Sequence, residues 1–122
     1  MNFIAIRGAT TVDENTSVDI LSATKELILE IEKLNSINRE NVVSIIFSST
    51  KDIDKVYPAR AARSIGYINT GLMCFNEMYV ENSLEKCIRV MMFYNSKLKQ
   101  KDVKHVYLKG AKILRPDLLE NK

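Results

Sequence analysis

The chain alternates from its start. Along 2–7 (NFIAIR), Phe3, Ala5 and Arg7 share one face and Asn2, Ile4 and Ile6 the other, the period of a β-strand; Gly8 then ends the regular pattern. Thr16-Ser17-Val18-Asp19 resembles a capping box, with Asp19 able to reach back to the cap. Ile20, Leu21, Thr24, Leu27, Ile28, Ile31 and Leu34 then recur at helical spacing and predict one long amphipathic helix over about 17–34. Val42 to Phe47 is almost continuously apolar and β-branched, so it reads as a strand covered on both faces. A polar loop follows from Ser48 to Lys55. Pro58 opens a short helix through Arg63, and Gly66 is placed to end it. Further strands are expected over 72–80, 87–94 and 103–108, and Pro116 should forbid helix at its junction with Leu114 and Arg115. Apolar strands separated by helical or turn connections predict an α+β fold, a mixed β-sheet packed by one long and one short helix.

Composition leaves that picture intact. The 122 residues, 13.9 kDa, suit one domain over 1–122, with no repeat, low-complexity tract or linker. With 46% hydrophobic and 27% charged residues the chain reads as a soluble globular protein. No apolar run approaches the roughly 20 residues of a membrane span. Nothing basic precedes the first apolar stretch as in a signal peptide, so a cytoplasmic location is expected. A net charge of +3 is too small a surplus to argue for nucleic acid. Cys74 and Cys87 form no CxxC pair and are expected as free thiols. His105 is the only histidine, which leaves a structural zinc site short of the roughly four Cys/His ligands it needs and a Ser-His-Asp machine without a base unless it uses His105. No cofactor or metal is expected.

The arginines carry what chemistry is visible. The twelve lysines lie mostly where helices and loops meet water. Arg89 instead interrupts the apolar run Cys87-Ile88-Arg89-Val90-Met91-Met92-Phe93, where burying it requires something anionic opposite. A structural ion pair, or an edge strand whose arginine snorkels to water, explains it equally well. Arg7 ends the first strand, Arg60 and Arg63 share a helix face, and Arg115 precedes a proline. Guanidinium clamps carboxylates through paired hydrogen bonds and stays charged when desolvated, so these positions suggest a pocket for a small polyanion. Each alone reads more readily as surface. Glu77 could orient a hydroxyl, balance an arginine, or be an exposed strand residue. Cys74 reads as a small buried hydrophobe and His105 as structural, sharing a strand face with Tyr107.

Five segments together resemble a known family: Ile6-Arg7-Gly8-Ala9-Thr10-Thr11-Val12, Tyr57-Pro58-Ala59-Arg60-Ala61-Ala62-Arg63, Cys87-Ile88-Arg89-Val90-Met91-Met92, His105-Val106-Tyr107-Leu108 and Leu114-Arg115-Pro116-Asp117-Leu118. In this order and spacing they are similar to the AroH-class monofunctional chorismate mutases of aromatic amino acid biosynthesis. The resemblance implies a homotrimeric pseudo-α/β-barrel with active sites in clefts between subunits, and an isomerase that converts chorismate to prephenate by an intramolecular [3,3] rearrangement. Such a reaction needs no nucleophile, metal or redox cofactor. Carried over by position, Arg89 would meet the ether oxygen, and Arg7 with Tyr107 the enolpyruvyl carboxylate. Glu77 and Cys74 would orient the ring hydroxyl, with Met73, Phe75 and Asn76 lining that side. Tyr57, Ala59 and Leu114 would pack the ring, and Arg60, Arg63 and Arg115 would border the entrance.

Two features depart from the family pattern. The family carries lysine where Arg60 stands and phenylalanine where Tyr57 stands. Cys74 and Glu77 also have opposite strand parity, so both reach one hydroxyl only if the strand bulges or ends between them. Rival readings are a trimeric barrel of the imine-deaminase type, a non-catalytic sensor of a carboxylate metabolite, and a structural interaction module. The IRGATTV and LRPDL segments favour the mutase over the first, and the joint presence of Arg7, Glu77 and Arg89 favours activity over the second.

Overall fold

The computed structural model describes residues 1–114. Arg115 and the Pro116 junction lie outside the described residues. Along the chain run β1 (Asn2–Thr11), α1 (Ser17–Asn35), β2 (Val42–Ser49), α2 (Ala59–Ser64), β3 (Gly71–Asn76), β4 (Cys87–Ser96) and β5 (Val106–Tyr107), with single 3₁₀ segments at Arg39–Asn41, Gln100–Asp102 and Lys109–Leu114. The strands form one mixed sheet in the order β3-β2-β4-β1-β5. β4 runs antiparallel to both β1 and β2, whereas β2 pairs with β3 and β1 with β5 in parallel. The fold is α+β.

Local chemistry sets the helix bounds. The Thr16 side chain accepts the Asp19 N–H at 3.1 Å and caps the start of α1; Ser36, left-handed at φ 51°, closes its end. α2 ends in a Schellman arrangement: Gly66 N–H donates to Arg63 O and Tyr67 N–H to Ala62 O, with Gly66 at φ 115°. α1 lays Leu27, Ile28 and Ile31 against Ile4 and Ile6 of β1, Ile45 and Phe47 of β2, and Val90 and Met92 of β4. Ile20 and Ala23 close a second cluster with Val12, Ile53 and Ile88. Burial of each large aliphatic side chain contributes about 1.5–3 kcal/mol.

Several expectations fail. Gly8 does not end the first strand: β1 continues to Thr11, and a Cβ at Gly8 would lie 2.9 Å from Ile31 Cδ1 and 3.2 Å from the Val106 carbonyl. Glycine is there because α1 and β5 approach closely, not because the chain turns. β2 is covered on one face only, since Ile45 and Phe47 are buried while Ile46 and Ser48 stay half-exposed on the other. The strand expected over 72–80 stops at Asn76. The one expected over 103–108 is two residues long, because side chains take the place of its backbone along the edge of β1. Gln100 exchanges two hydrogen bonds with the Ala5 backbone, at 2.8 and 2.7 Å, and His105 Nδ1 accepts the Arg7 N–H at 2.9 Å. Asn35 clips the same segment to α1 through Lys104 N and O, at 2.9 Å each.

The sheet therefore has two unlike faces. Both helices cover one. The other presents Phe3, Arg7, Arg89, Met91, Phe93, Ile46 and Met73, which no α-helix among the described residues covers, with the Phe3 and Phe93 rings stacked at 5.7 Å. Among the described residues one end of it is roofed, where Tyr107 and Ala111 from the β5 segment pack on Ala9 and Cys87, with Leu84 and Leu114 beside them.

Candidate active site

That roofed end forms a cleft of about 290 Å³. β1 contributes Arg7 and β4 contributes Arg89; Ala9 pairs with Arg89 and Arg7 with Met91, so both guanidinium groups rise from the same side of adjacent strands. Arg89 is thus not buried in the core. Its strand is apolar on both sides for different reasons: Ile88, Val90 and Met92 face the helices, while Met91 and Phe93 lie on the open face beside Arg89. Glu77 is the first residue past β3 and is fixed by its own N–H, which donates to Ser49 O at 2.8 Å. Its carboxylate lies 3.4 Å from Arg89 Nε and accepts a hydrogen bond from Ser48 Oγ. Tyr107 and Leu114 close the roof, and Ile46 and Met91 form an apolar floor.

The remaining candidates gather elsewhere. Tyr57, Arg60, Arg63, Cys74, Phe75 and Asn76 line a second, more open cleft of about 590 Å³ between α2 and the edge strand β3. The two clefts share no lining residue. Ala59 is buried behind this second group, and Met73 stands exposed on the open face. Cys74 pairs with Phe47 and, like it, points to the helix side, where it packs against the main core. The strand does end before Glu77, yet Cys74 and Glu77 stay on opposite sides of it within one chain. Arg115 lies outside the described residues.

Sequence reasoning missed Ser48, which sat in an expected polar loop and is instead a β2 residue paired with Arg89. It also passed over Arg39, which is structural. Its guanidinium forms a two-pronged bridge to Glu32 at 2.7 and 3.0 Å and lies over the Tyr67 ring, while Tyr67 O–H donates to the same carboxylate at 2.5 Å. Burial, and then the hydrogen bond to Glu32, push the Tyr67 phenol well above its ordinary range. Burial likewise raises the Cys87 thiol, against the opposing charge of Arg89. Both cysteines are free.

Two guanidinium groups, one carboxylate and a phenol over an apolar floor form a site with the chemistry to hold a small carboxylate-bearing molecule on the open face of a mixed sheet. Comparison with known proteins narrows the class, and the chain belongs to the type I chorismate mutase family, whose model matches residues 3–118. It is 43% identical over 114 residues to chorismate mutase AroH of Bacillus subtilis (strain 168), covering 93% of this chain and 90% of that protein. The same identity over the same length relates it to chorismate mutase AroH of Thermus thermophilus, with 93% of each covered. Among solved structures, a chorismate mutase from Clostridium thermocellum superposes with a TM-score of 0.88 at 52% identity, over 89% of this chain and 97% of that one.

Proposed function

We propose that this chain is a chorismate mutase, an isomerase that rearranges chorismate to prephenate within the aromatic biosynthetic route of the cytoplasm. Family membership and the similarity to three chorismate mutases support the reaction. One observation in the structure carries the chemistry: Arg89 stands on the open face, oriented by Glu77 and in one cleft with Arg7 and Tyr107. The substrate is a dianion whose ether bond breaks as a new carbon–carbon bond forms. Arg7 and Tyr107 hold the enolpyruvyl carboxylate, and Glu77 accepts the ring hydroxyl. Arg89 meets the ether oxygen, where negative charge grows in the transition state. The cleft folds a flexible ether into a near-attack shape, and a preorganised donor at the developing charge contributes ~3–4 kcal/mol.

The complete site is proposed to form between subunits of a homotrimer. Arg7, Glu77, Arg89, Tyr107 and Leu114 come from one subunit, and a neighbour brings Tyr57, Ala59, Arg60, Arg63 and Cys74, with the adjoining Met73, Phe75 and Asn76. This reading accounts for two separate half-sites within one chain and for a sheet face that no α-helix among the described residues covers. Exposed Phe3, Met73 and Phe75 on that face are of the kind that subunit contacts bury. The protein should sediment as a trimer and lose activity on dissociation; a fully active monomer would overturn the interfacial site. The reaction itself is tested by adding purified protein to chorismate and following loss of its ultraviolet absorbance. Turnover far above the spontaneous rate is expected, and decay at the spontaneous rate would refute the assignment.

A further inference from the structure

We infer that Ser48 is a positioning residue for the rearrangement: its hydroxyl fixes the Glu77 carboxylate, which in turn fixes the guanidinium of Arg89. The inference rests on the chorismate mutase reading above and goes beyond it by assigning a residue which that reading leaves without a role. Ser48 lies on β2, with Phe75 of β3 opposite it on one side and Arg89 of β4 on the other. Glu77 leaves the end of β3 and bends back over this position. Its Oε1 accepts from Ser48 Oγ and its Oε2 faces Arg89 Nε at 3.4 Å, so each carboxylate oxygen has its own partner.

The hydroxyl matters because the ion pair by itself is weak. The Arg89 and Glu77 side chains are 45% and 28% exposed, and pairs of that kind gain little over water and exchange geometries readily. A hydroxyl donating to a carboxylate is a charge-assisted bond, stronger than a neutral one, and here it comes from an interior strand of the sheet. It holds Glu77 at one point while the Glu77 N–H, bonded to Ser49 O, holds it at another. With Nε facing Glu77, the guanidinium is held from the Glu77 side while it lines the cleft. Catalysis by preorganised charge depends on that orientation being set before the substrate arrives.

Ser48→Ala and Ser48→Thr separate positioning from packing, because threonine keeps the hydroxyl and suits a strand. Ser48→Ala should lower kcat about tenfold and leave KM within about threefold, the signature of losing an interaction that acts in the transition state. Ser48→Thr should recover kcat to within about threefold of the wild type. A second readout needs no turnover: the Arg89 Nε–H resonance in ¹⁵N NMR of the unliganded protein should broaden or shift in Ser48→Ala and hold its place in Ser48→Thr. An alanine variant with wild-type kcat, an unchanged Nε–H resonance, or equal losses in both variants would overturn the inference. Were the wild type itself unable to consume chorismate, the functional reading would fail while the resonance still decided the role of Ser48.

Discussion

Gly8→Ala tests the packing that sets Arg7 in place. The added Cβ would stand 2.9 Å from Ile31 Cδ1, 3.1 Å from Leu27 Cδ1 and 3.2 Å from the Val106 carbonyl oxygen. The two side-chain tips have little room to move, since Leu27 and Ile31 are both fully buried, and the carbonyl belongs to the backbone of β5. Overpacking of this kind costs about 1–3 kcal/mol. Opposing it, replacing a glycine of ordinary φ restricts the unfolded chain and stabilises by about 0.4–1 kcal/mol. The clash prevails, leaving a net loss of about 0.5–2 kcal/mol and a fall in apparent Tm of several degrees. Gly71→Ala is the control: its Cβ would meet nothing closer than Ser44 Cβ at 3.6 Å, so the entropic gain stands alone and Tm should hold or rise. The assay is thermal unfolding followed by circular dichroism, with both variants at one protein concentration. Equal melting temperatures for the two variants would refute the reasoning. Because Arg7 precedes Gly8 on the strand, kcat/KM should fall in Gly8→Ala and not in Gly71→Ala.

The alkaline limb of stability is expected to belong in part to Tyr67. Its folded phenol is held above its ordinary value of about 10, so the stabilisation is complete below that pH and is lost as pH rises toward the folded value. Tyr67→Phe should flatten stability against pH between about 10 and 11, and an unchanged slope would contradict this. The two thiols should differ in reactivity. Half-buried Cys74 should react first with a disulfide reagent, and buried Cys87, with its thiol pushed up, only on unfolding. Chorismate should slow the reaction of Cys74, and labelling of Cys87 ahead of Cys74 would sink the assignment.

What the sequence made legible was local. α1 was readable to within a residue because its cap and its apolar stripe both lie inside one contiguous segment. The Gly66 stop was readable for the same reason. What escaped depended on partners far along the chain. Gln100 and His105 replace strand backbone beside Ala5 and Arg7, and nothing in their neighbourhood signals such a contact. Gly8 read as a terminator because sequence shows a missing side chain and not the helix that needs the space. Arg89 seemed to demand burial because an apolar run looks the same whether its second face meets a helix or lies open. Ser48 fell into a loop by composition, although its pairing with Arg89 sets it beside the central carboxylate. The site's residue types were legible, and their division into two clefts was not, because spacing carries no information about which side of β3 a cleft occupies.

The central claim is that a fixed positive charge at Arg89 stabilises charge developing on the ether oxygen. Replacing Arg89 with citrulline preserves shape and most hydrogen bonds while removing the charge. Steady-state consumption of chorismate by the folded variant should then show kcat reduced by two to three decades, about 3–4 kcal/mol, with a much smaller change in KM. Arg89→Lys should recover only part of the rate, as a point charge without the planar fork. Near-wild-type kcat in the correctly folded citrulline protein would contradict the account, and Arg89 would then serve to position the substrate without stabilising its transition state.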